Sequence, residues 1–243
     1  DEEAAEYIHG ALKDEHFVER SADAQTGLFL LSATGWDVVI HELTGWHNDE
    51  AYTSLRADGV RALCAADGVS LEDPGTKLVF SAHGTPLKYL EEGSRYDLYV
   101  DDHCRALAAS LDVDDYVLGF QNHANRPGVR WTQPDIDKAI EGLDAERIVV
   151  VPVSFMHEQS ETLAELDHEL KGEAEALGLG FHRVPIPWDD PRFAALLADL
   201  VSPFLAGEAG EDADGPGFGP CRCLAGANCL NHDLARTRAA EPA

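Results

Sequence analysis

The chain has 243 residues, and its hydrophobic content of 44% is enough to bury one large core or two small ones. Its 45 acidic residues against 18 basic ones give a net charge of −27, which argues against nucleic acid as a partner, because phosphate binding needs clustered Lys and Arg. No run of about 18 apolar residues predicts a transmembrane helix, and the acidic start is unlike a secretory signal. We therefore expect a soluble, cytoplasmic protein.

Apolar runs and helical periodicities alternate along the chain. Runs bounded by turns predict buried strands over residues 37–43, 77–82, 116–120, 147–155 and 179–184. Apolar residues at spacings of three and four predict helices over residues 49–64, 96–111, 134–143, 160–177 and 191–205. This alternation is typical of an α/β fold, a three-layer parallel sheet with flanking helices and right-handed crossovers. No strand is followed by a Gly-rich nucleotide motif, which argues against nucleotide-dependent chemistry.

The segment LVFSAHGTP, residues 78–86, places an imidazole at the end of an apolar strand. Ligands of open α/β sheets bind beyond the carboxyl ends of the strands, and Gly84 and Pro86 turn the chain where His83 would meet a ligand. Because imidazole exchanges protons near neutral pH, we interpret His83 as a functional residue rather than a packing one.

Three glutamates, Glu161, Glu165 and Glu169, recur every four residues on the helix predicted after the fourth strand. This spacing stacks carboxylates on one face, where like charges cost about 0.2–0.5 kcal/mol per pair. One interpretation is a solvated helix face. The other is a cleft shared with His83, since mixed imidazole and carboxylate groups suit a divalent first-row metal and can also accept protons. Those two tasks together describe insertion of a metal into a ring that loses protons.

The loop after the third predicted strand offers groups for a flat ligand. Gln121 follows that strand, Arg126 lies in the loop, and Trp131 comes after it. Trp131 could stack on a planar ligand while Arg126 or Arg130 pairs with its carboxylates. The alternative is that Trp131 caps the core beneath the loop.

Three segments of the chain resemble ferrochelatases, the enzymes that insert ferrous iron into a porphyrin in haem biosynthesis. They are LVFSAHGTPLKYLEEGSRYDLY, GFQNHANRPGVRWTQPDID and VVVPVSFMHEQSETLAELDHEL, within a match over about residues 45–205. The resemblance implies a class II chelatase-like lobe in which His83 contacts the metal and accepts protons, with Glu161 as its partner. Glu165 and Glu169 would continue an acidic path for the metal or the protons.

The resemblance also implies what the protein binds and how the chain is divided. Porphyrin (protoporphyrin IX or coproporphyrin III) and ferrous iron would be the substrates, with Tyr96, Gln121, Arg126 and Trp131 as porphyrin contacts. Residues 1–66 would be the remnant of a first lobe with a linking helix, 67–205 the C-terminal lobe, 206–220 a linker and 221–243 a Cys-rich tail. Gln159 stands where the family often has His, and the region before residue 45 is too short for a complete first lobe.

The tail carries Cys221, Cys223 and Cys229 within nine residues. Some ferrochelatases hold a [2Fe–2S] cluster on C-terminal cysteines plus one upstream, and such a cluster takes four Cys ligands. Cys64, which ends its predicted helix near a loop, is favoured as the fourth ligand over Cys104, which is expected to face the core. The alternatives are a zinc site completed by His232, or no metal.

Two other functions fit the same sequence features. One is a cobalt or nickel chelatase that acts on a more reduced tetrapyrrole. The other is a non-catalytic module that binds a tetrapyrrole or an iron–sulfur cluster, which the short first region and Gln159 favour. Contact with a membrane surface or with another haem-pathway enzyme, and the oligomeric state, are left open by the sequence.

Overall fold

A computed structural model describes residues 17–20, 29–32, 47, 49–122 and 128–205, with the side chains of 47, 49–122 and 128–199. The chain divides into two compact units, residues 1–42 and 43–243. In the first unit, strands β1 (Phe17–Arg20) and β2 (Phe29–Ser32) pair antiparallel. The sequence analysis did not predict this pair. The strand predicted over 37–43 and the Cys-rich tail lie outside the described residues.

The second unit is built on a four-stranded parallel sheet. Its strands are β3 (Thr76–His83), β4 (Tyr116–Gln121), β5 (Arg147–Val153) and β6 (Gly180–Arg183), in the order β4-β3-β5-β6. The register sets His83 opposite Gln121 on one side of β3 and Ala82 opposite Val153 on the other. The carboxyl ends of β3, β4 and β5 therefore meet at one edge of the sheet, and the predicted parallel α/β fold is confirmed for this unit.

Helices pack on both faces of this sheet. The helices in the described part of this unit are α1 (Glu50–Asp67), α2 (Leu87–Glu91), α3 (Tyr96–Ser110), α4 (Ile136–Ile140), a π-helix (Glu161–Leu170), α5 (Lys171–Ala176) and α6 (Pro191–Leu205). Alternate residues of β3 enter different cores: Phe80 packs with residues of α1 and α3, whereas Val79 packs with residues of α4 and the π-helix. The sheet is thus buried on both faces, as expected for parallel strands.

Helix α1 begins and ends at residues that its sequence marks clearly. Asp49 caps the helix because its Oδ1 accepts a hydrogen bond of 2.6 Å from the backbone N–H of Tyr52. Gly68 ends it with a φ of 67°, a left-handed conformation that favours glycine. The helix runs three residues beyond its predicted end. Its Tyr52 and Leu55 pack against Phe193 of α6.

The helix predicted over 160–177 has a different form in the structure. Its first ten residues, Glu161–Leu170, form a π-helix, and only Lys171–Ala176 continue as α-helix. The buried positions Thr162, Leu166 and Leu170 recur every four residues, a spacing that fits either helix type. Long π-helices are rare, and short ones occur often at functional sites. In the described part of the chain, no helix has the length and apolar character needed to cross a membrane.

Candidate active site

His83 lies half-buried at the carboxyl end of β3, next to the end of β4. The backbone N–H of Gly84 donates to the carbonyl of Gln121 at 2.7 Å. A Cβ at Gly84 would lie 1.8 Å from Oδ1 of Asn122 and 2.7 Å from the Gln121 carbonyl oxygen. The two strand ends approach so closely that only glycine fits after the histidine, which gives the His-Gly pair of the sequence a physical reason.

The loops that follow β3 and β4 are joined by backbone hydrogen bonds. Thr132 N–H donates to the Thr85 carbonyl at 3.0 Å, and Leu87 N–H donates to the Arg130 carbonyl at 2.8 Å. Trp131 lies between these contacts, half-buried and bridged to Pro86. Its placement beside the loop after His83 is compatible with both functions considered for it, stacking on a ligand and covering the core. Arg126 lies outside the described residues.

Tyr96, the first residue of α3, joins the ends of β3 and β5. Its hydroxyl donates to the backbone carbonyl of His83 at 2.9 Å and hydrogen-bonds Oγ of Ser154 at 2.7 Å. Burial raises the pKa of Tyr96 to about 12, so the phenol is protonated at neutral pH. The family resemblance predicts Tyr96 as a porphyrin contact, and that contact stays a prediction. The structure places its hydroxyl on protein groups and packs the half-buried residue against the core formed by α1, α3 and the sheet.

Ser154 adopts a left-handed conformation with a φ of 64° directly after β5. This conformation costs a non-glycine residue roughly 1–2 kcal/mol, and such strain clusters at functional sites. The turn brings Phe155 to the histidine, with ring centroids of Phe155 and His83 6.2 Å apart in an edge-to-face arrangement. In the sequence, the signal for this position is a serine at the end of an apolar strand.

Gln121 is 3% exposed, and both ends of its amide are engaged. Its Oε1 accepts from the hydroxyl of Ser81 at 2.9 Å, while Nε2 donates to the backbone carbonyl of Glu161 at 2.7 Å and to Oε2 of Glu165 at 2.9 Å. The amide thus ties β3 and β4 to the π-helix. These bonds support a role for Gln121 in positioning the glutamates, and its predicted contact with porphyrin stays a prediction.

The three glutamates lie at different depths along the π-helix. Glu161 and Glu165 are half-buried, Glu169 is exposed, and Ser160 donates to Oε2 of Glu161 at 2.8 Å. They therefore run from the sheet edge outward to solvent. Among the residues that the structure describes, no three His, Cys, Asp or Glu side chains form a group that could hold a metal ion. The metal set of His83 and these glutamates stays a prediction.

Two buried basic residues lie behind this edge. Arg56 of α1 is 1% exposed, and its Nη2 donates to the backbone carbonyl of Pro152 near the end of β5. His103 of α3 is fully buried, and burial followed by the nearby Arg56 charge lowers its pKa to about 4. His103 is therefore neutral at pH 7. In the sequence, Arg56 could be recognised as an arginine within the apolar face of a helix.

Both upstream cysteines belong to the core and are free thiols. Cys104 has no exposed surface, as predicted, and its pKa is raised by burial and then by Asp101. Cys64 is 9% exposed, and its pKa is raised by burial and then by Asp67. Burial disfavours the thiolate that a metal needs, less so for Cys64. The other proposed ligands, Cys221, Cys223, Cys229 and His232, lie outside the described residues.

Large apolar side chains are exposed beyond the carboxyl ends of the strands. They are Tyr89 after β3, Val129 after β4, Met156 and Leu163 after β5, and Trp188 after β6. Ligand pockets are lined mainly by apolar and aromatic groups with a few polar ones. The combination suits a flat apolar ligand whose reacting atoms meet His83 and the glutamates.

Comparison with known proteins identifies the family of the chain. A family model described as Ferrochelatase matches residues 24–204. A ferrochelatase from Synechococcus sp. (strain RCC307) is 35% identical over 69% of this chain and 44% of its own length. A coproporphyrin III ferrochelatase from Nocardia farcinica (strain IFM 10152) is 34% identical over 67% of this chain and 49% of its own.

A coproporphyrin III ferrochelatase from Mycolicibacterium paratuberculosis (strain ATCC BAA-968 / K-10) is 33% identical over 67% of this chain and 50% of its own length. The chain thus spans about half the length of the curated relatives it matches. Among solved structures, DR2241 from Deinococcus radiodurans is similar at a TM-score of 0.35 and 18% identity, over 67% of this chain and 31% of that one. Because a TM-score this low carries no argument, the family assignment rests on the family model, which covers most of the sequence. The chain belongs to the ferrochelatase family.

Proposed function

We propose that the protein inserts ferrous iron into a porphyrin, with His83 as proton acceptor and metal contact. The observation that carries the proposal is the half-buried imidazole at the end of β3, whose register partner Gln121 binds the Glu161 carbonyl and the Glu165 carboxylate of the π-helix. The names of the relatives, ferrochelatase and coproporphyrin III ferrochelatase, support the same reaction.

In the proposed reaction, ferrous iron binds the four ring nitrogens and the two pyrrole N–H protons leave, so that charge balances without any change of oxidation state. His83 takes up the two protons from the ring one after the other and passes each of them to Glu161, from which they leave to solvent. Glu165 and Glu169 lead from this site to solvent and would carry iron inward or protons outward. The exposed apolar side chains and Trp131 would hold the macrocycle.

His83→Ala tests the proposal in the full-length protein. We expect a loss of iron insertion of at least about 100-fold, a typical contribution of a general base, with porphyrin binding retained as measured by fluorescence. His168→Ala is the matched control, because His168 is an exposed histidine on the π-helix. Iron insertion by the His83→Ala variant at the normal rate would refute the assignment.

The choice of substrate is tested with protoporphyrin IX, coproporphyrin III and sirohydrochlorin, each offered with Fe²⁺, Co²⁺ or Ni²⁺. We expect turnover with ferrous iron and one of the two porphyrins. Turnover with sirohydrochlorin and Co²⁺ or Ni²⁺ alone would instead identify a chelatase for a reduced tetrapyrrole. Porphyrin binding without any insertion would identify a binding module.

The proposal extends to a [2Fe–2S] cluster on Cys221, Cys223, Cys229 and Cys64. Its support is the resemblance and the greater exposure of Cys64, 9% against none for Cys104. Cys64→Ser is expected to remove absorbance at about 400–600 nm from the purified protein, whereas Cys104→Ser keeps it. A colourless wild-type protein that contains zinc would contradict the cluster and favour the site with His232.

A further inference from the structure

Arg183, the last residue of β6, holds two carboxylates at once. Its Nη1 donates to both carboxylate oxygens of Glu158 at 2.9 and 3.1 Å, while Nε and Nη2 donate to the two oxygens of Asp167 at 2.5 and 2.9 Å. The side chains are 11% exposed for Arg183, 18% for Glu158 and 32% for Asp167. This triad is therefore a largely enclosed network and not a surface ion pair.

The two carboxylates lie on either side of Glu161 and Glu165 in sequence. Glu158 precedes the π-helix by three residues, and Asp167 lies within it. Glu158 also accepts a hydrogen bond of 2.9 Å from the backbone N–H of Ile186, which follows β6. Arg183 and Ile186 together attach the beginning and the middle of the π-helix to the end of β6.

Glu158 and Arg183 are charged at neutral pH. Burial by itself would raise the pKa of Glu158, but hydrogen bonds from Ile186 and Thr162 and the Arg183 guanidinium hold it below its ordinary value. For Arg183, burial opposes the charge, and its bonds to Asp167 and Glu158 outweigh that effect and raise its pKa. One cation between two anions gives a strong and directional contact, because the guanidinium binds each carboxylate through two hydrogen bonds.

The π-helix is thus held from two sides. Gln121 at the end of β4 binds the Glu161 carbonyl and the Glu165 carboxylate, and Arg183 at the end of β6 binds Glu158 and Asp167. The apolar spacing of this segment fits an α-helix equally well, so its sequence periodicity does not select the π form. Contacts with the neighbouring strands must supply that selection. A return to α-helical winding would rotate Glu161 and Glu165 relative to His83.

We propose that Arg183 is a positioning residue for metal insertion: through Glu158 and Asp167 it holds the π-helix in the winding that presents Glu161 and Glu165 to the site. The inference rests on the proposed function. It assigns to Arg183 no contact with porphyrin or iron, and it predicts that the triad acts on turnover rather than on porphyrin affinity.

The test separates positioning from the cost of unpaired charge. Arg183→Met leaves two enclosed carboxylates without a partner and is expected to lower stability. The triple variant Arg183→Met, Glu158→Gln, Asp167→Asn removes all three charges and should regain most of that stability. The triple variant still lacks the directional bonds of the triad, so its π-helix should be held less firmly if the triad positions that helix. Arg183→Lys, which keeps the charge but binds at a single point, should fall between Arg183→Met and the wild type in turnover.

Two measurements are made on each variant of the full-length protein. Hydrogen exchange is followed by mass spectrometry for peptides covering residues 158–170, with residues 96–110 of α3 as internal reference. In the triple variant we expect exchange at least 10-fold faster in the first region only. Steady-state kinetics should give a kcat for iron insertion reduced at least 10-fold, with the porphyrin KM within about 2-fold.

Arg147→Met is the matched control, because Arg147 also binds two carboxylates but lies at the opposite edge of the sheet. Wild-type exchange in residues 158–170 and wild-type kcat in the triple variant would overturn the proposal. A wild-type protein that inserts no iron would refute the proposed function, and the exchange measurement would still decide whether Arg183 holds the π-helix.

Discussion

The two edges of the parallel sheet each carry an arginine that binds two carboxylates, yet they differ in burial. At the amino edge, Arg147 pairs with Asp73 and Glu146 at 2.7 Å, with side chains 26%, 46% and 73% exposed. At the carboxyl edge, Arg183 and its partners are 11%, 18% and 32% exposed. Exposed pairs contribute about 0–1 kcal/mol, whereas enclosed ones carry a desolvation cost that only good geometry offsets.

The same contrast holds for the other polar groups at the two edges. The amino edge uses short local bonds, such as the 2.9 Å hydrogen bond from Gly75 N–H to Oδ1 of Asp73. The carboxyl edge buries Ser81 and Gln121 completely or nearly so, and keeps Ser154 in a strained conformation. Exposed, local bonds like those of the amino edge are sufficient for the fold. The carboxyl edge carries the cost of buried polar groups and backbone strain, which indicates that its geometry serves a site.

The largest effect is expected from Gln121→Leu at the carboxyl edge. The substitution leaves the buried Ser81 hydroxyl and the Glu161 carbonyl without their amide partner, so we expect the free energy of unfolding to fall by about 2–4 kcal/mol. Urea unfolding measures the change. The control is Gln133→Leu, since Gln133 is exposed and donates to Asp135 at 3.2 Å. Equal losses in both variants would remove the contrast between buried and exposed amides.

The sheet could be predicted from sequence, while the contacts that position the site could not. Apolar runs with turns at their ends marked β3, β4, β5 and β6, and the turn after His83 marked the functional edge. The partners of Gln121 are 40 and 44 residues away, and those of Arg183 are 16 and 25 residues away. No periodicity records such pairs, and the spacing of Thr162, Leu166 and Leu170 is the same for an α-helix as for a π-helix.

A smaller effect is expected from Tyr96→Phe, with a characteristic pH dependence. The loss of the hydrogen bonds to His83 and Ser154 should lower the free energy of unfolding by about 1–2 kcal/mol at pH 7. The pKa of Tyr96 in the folded protein, about 12, lies above its ordinary value near 10. Its contribution is therefore complete below about pH 10 and is lost as the pH rises to about 12.

Denaturant unfolding at a series of pH values measures this dependence. The difference between the wild type and Tyr96→Phe should shrink between about pH 10 and 12, because only the wild type loses stability through this phenol. Tyr89→Phe, at an exposed tyrosine of α2, should follow the wild type throughout. A constant difference between wild type and Tyr96→Phe up to pH 12 would argue against an enclosed phenol at the end of β3.

The smallest effect is expected from Arg147→Met at the amino edge. Its carboxylate partners are solvated without it, so the free energy of unfolding should fall by no more than about 1 kcal/mol, and by less at high salt, which screens exposed pairs. Urea unfolding at low and high salt measures both changes. Arg183→Met should cost more, because Glu158 and Asp167 cannot turn to water as freely. Equal costs at the two edges would mean that burial of the Arg183 triad carries no energetic weight, and the case for a costly edge built around the site would then rest on Gln121 and Tyr96 alone.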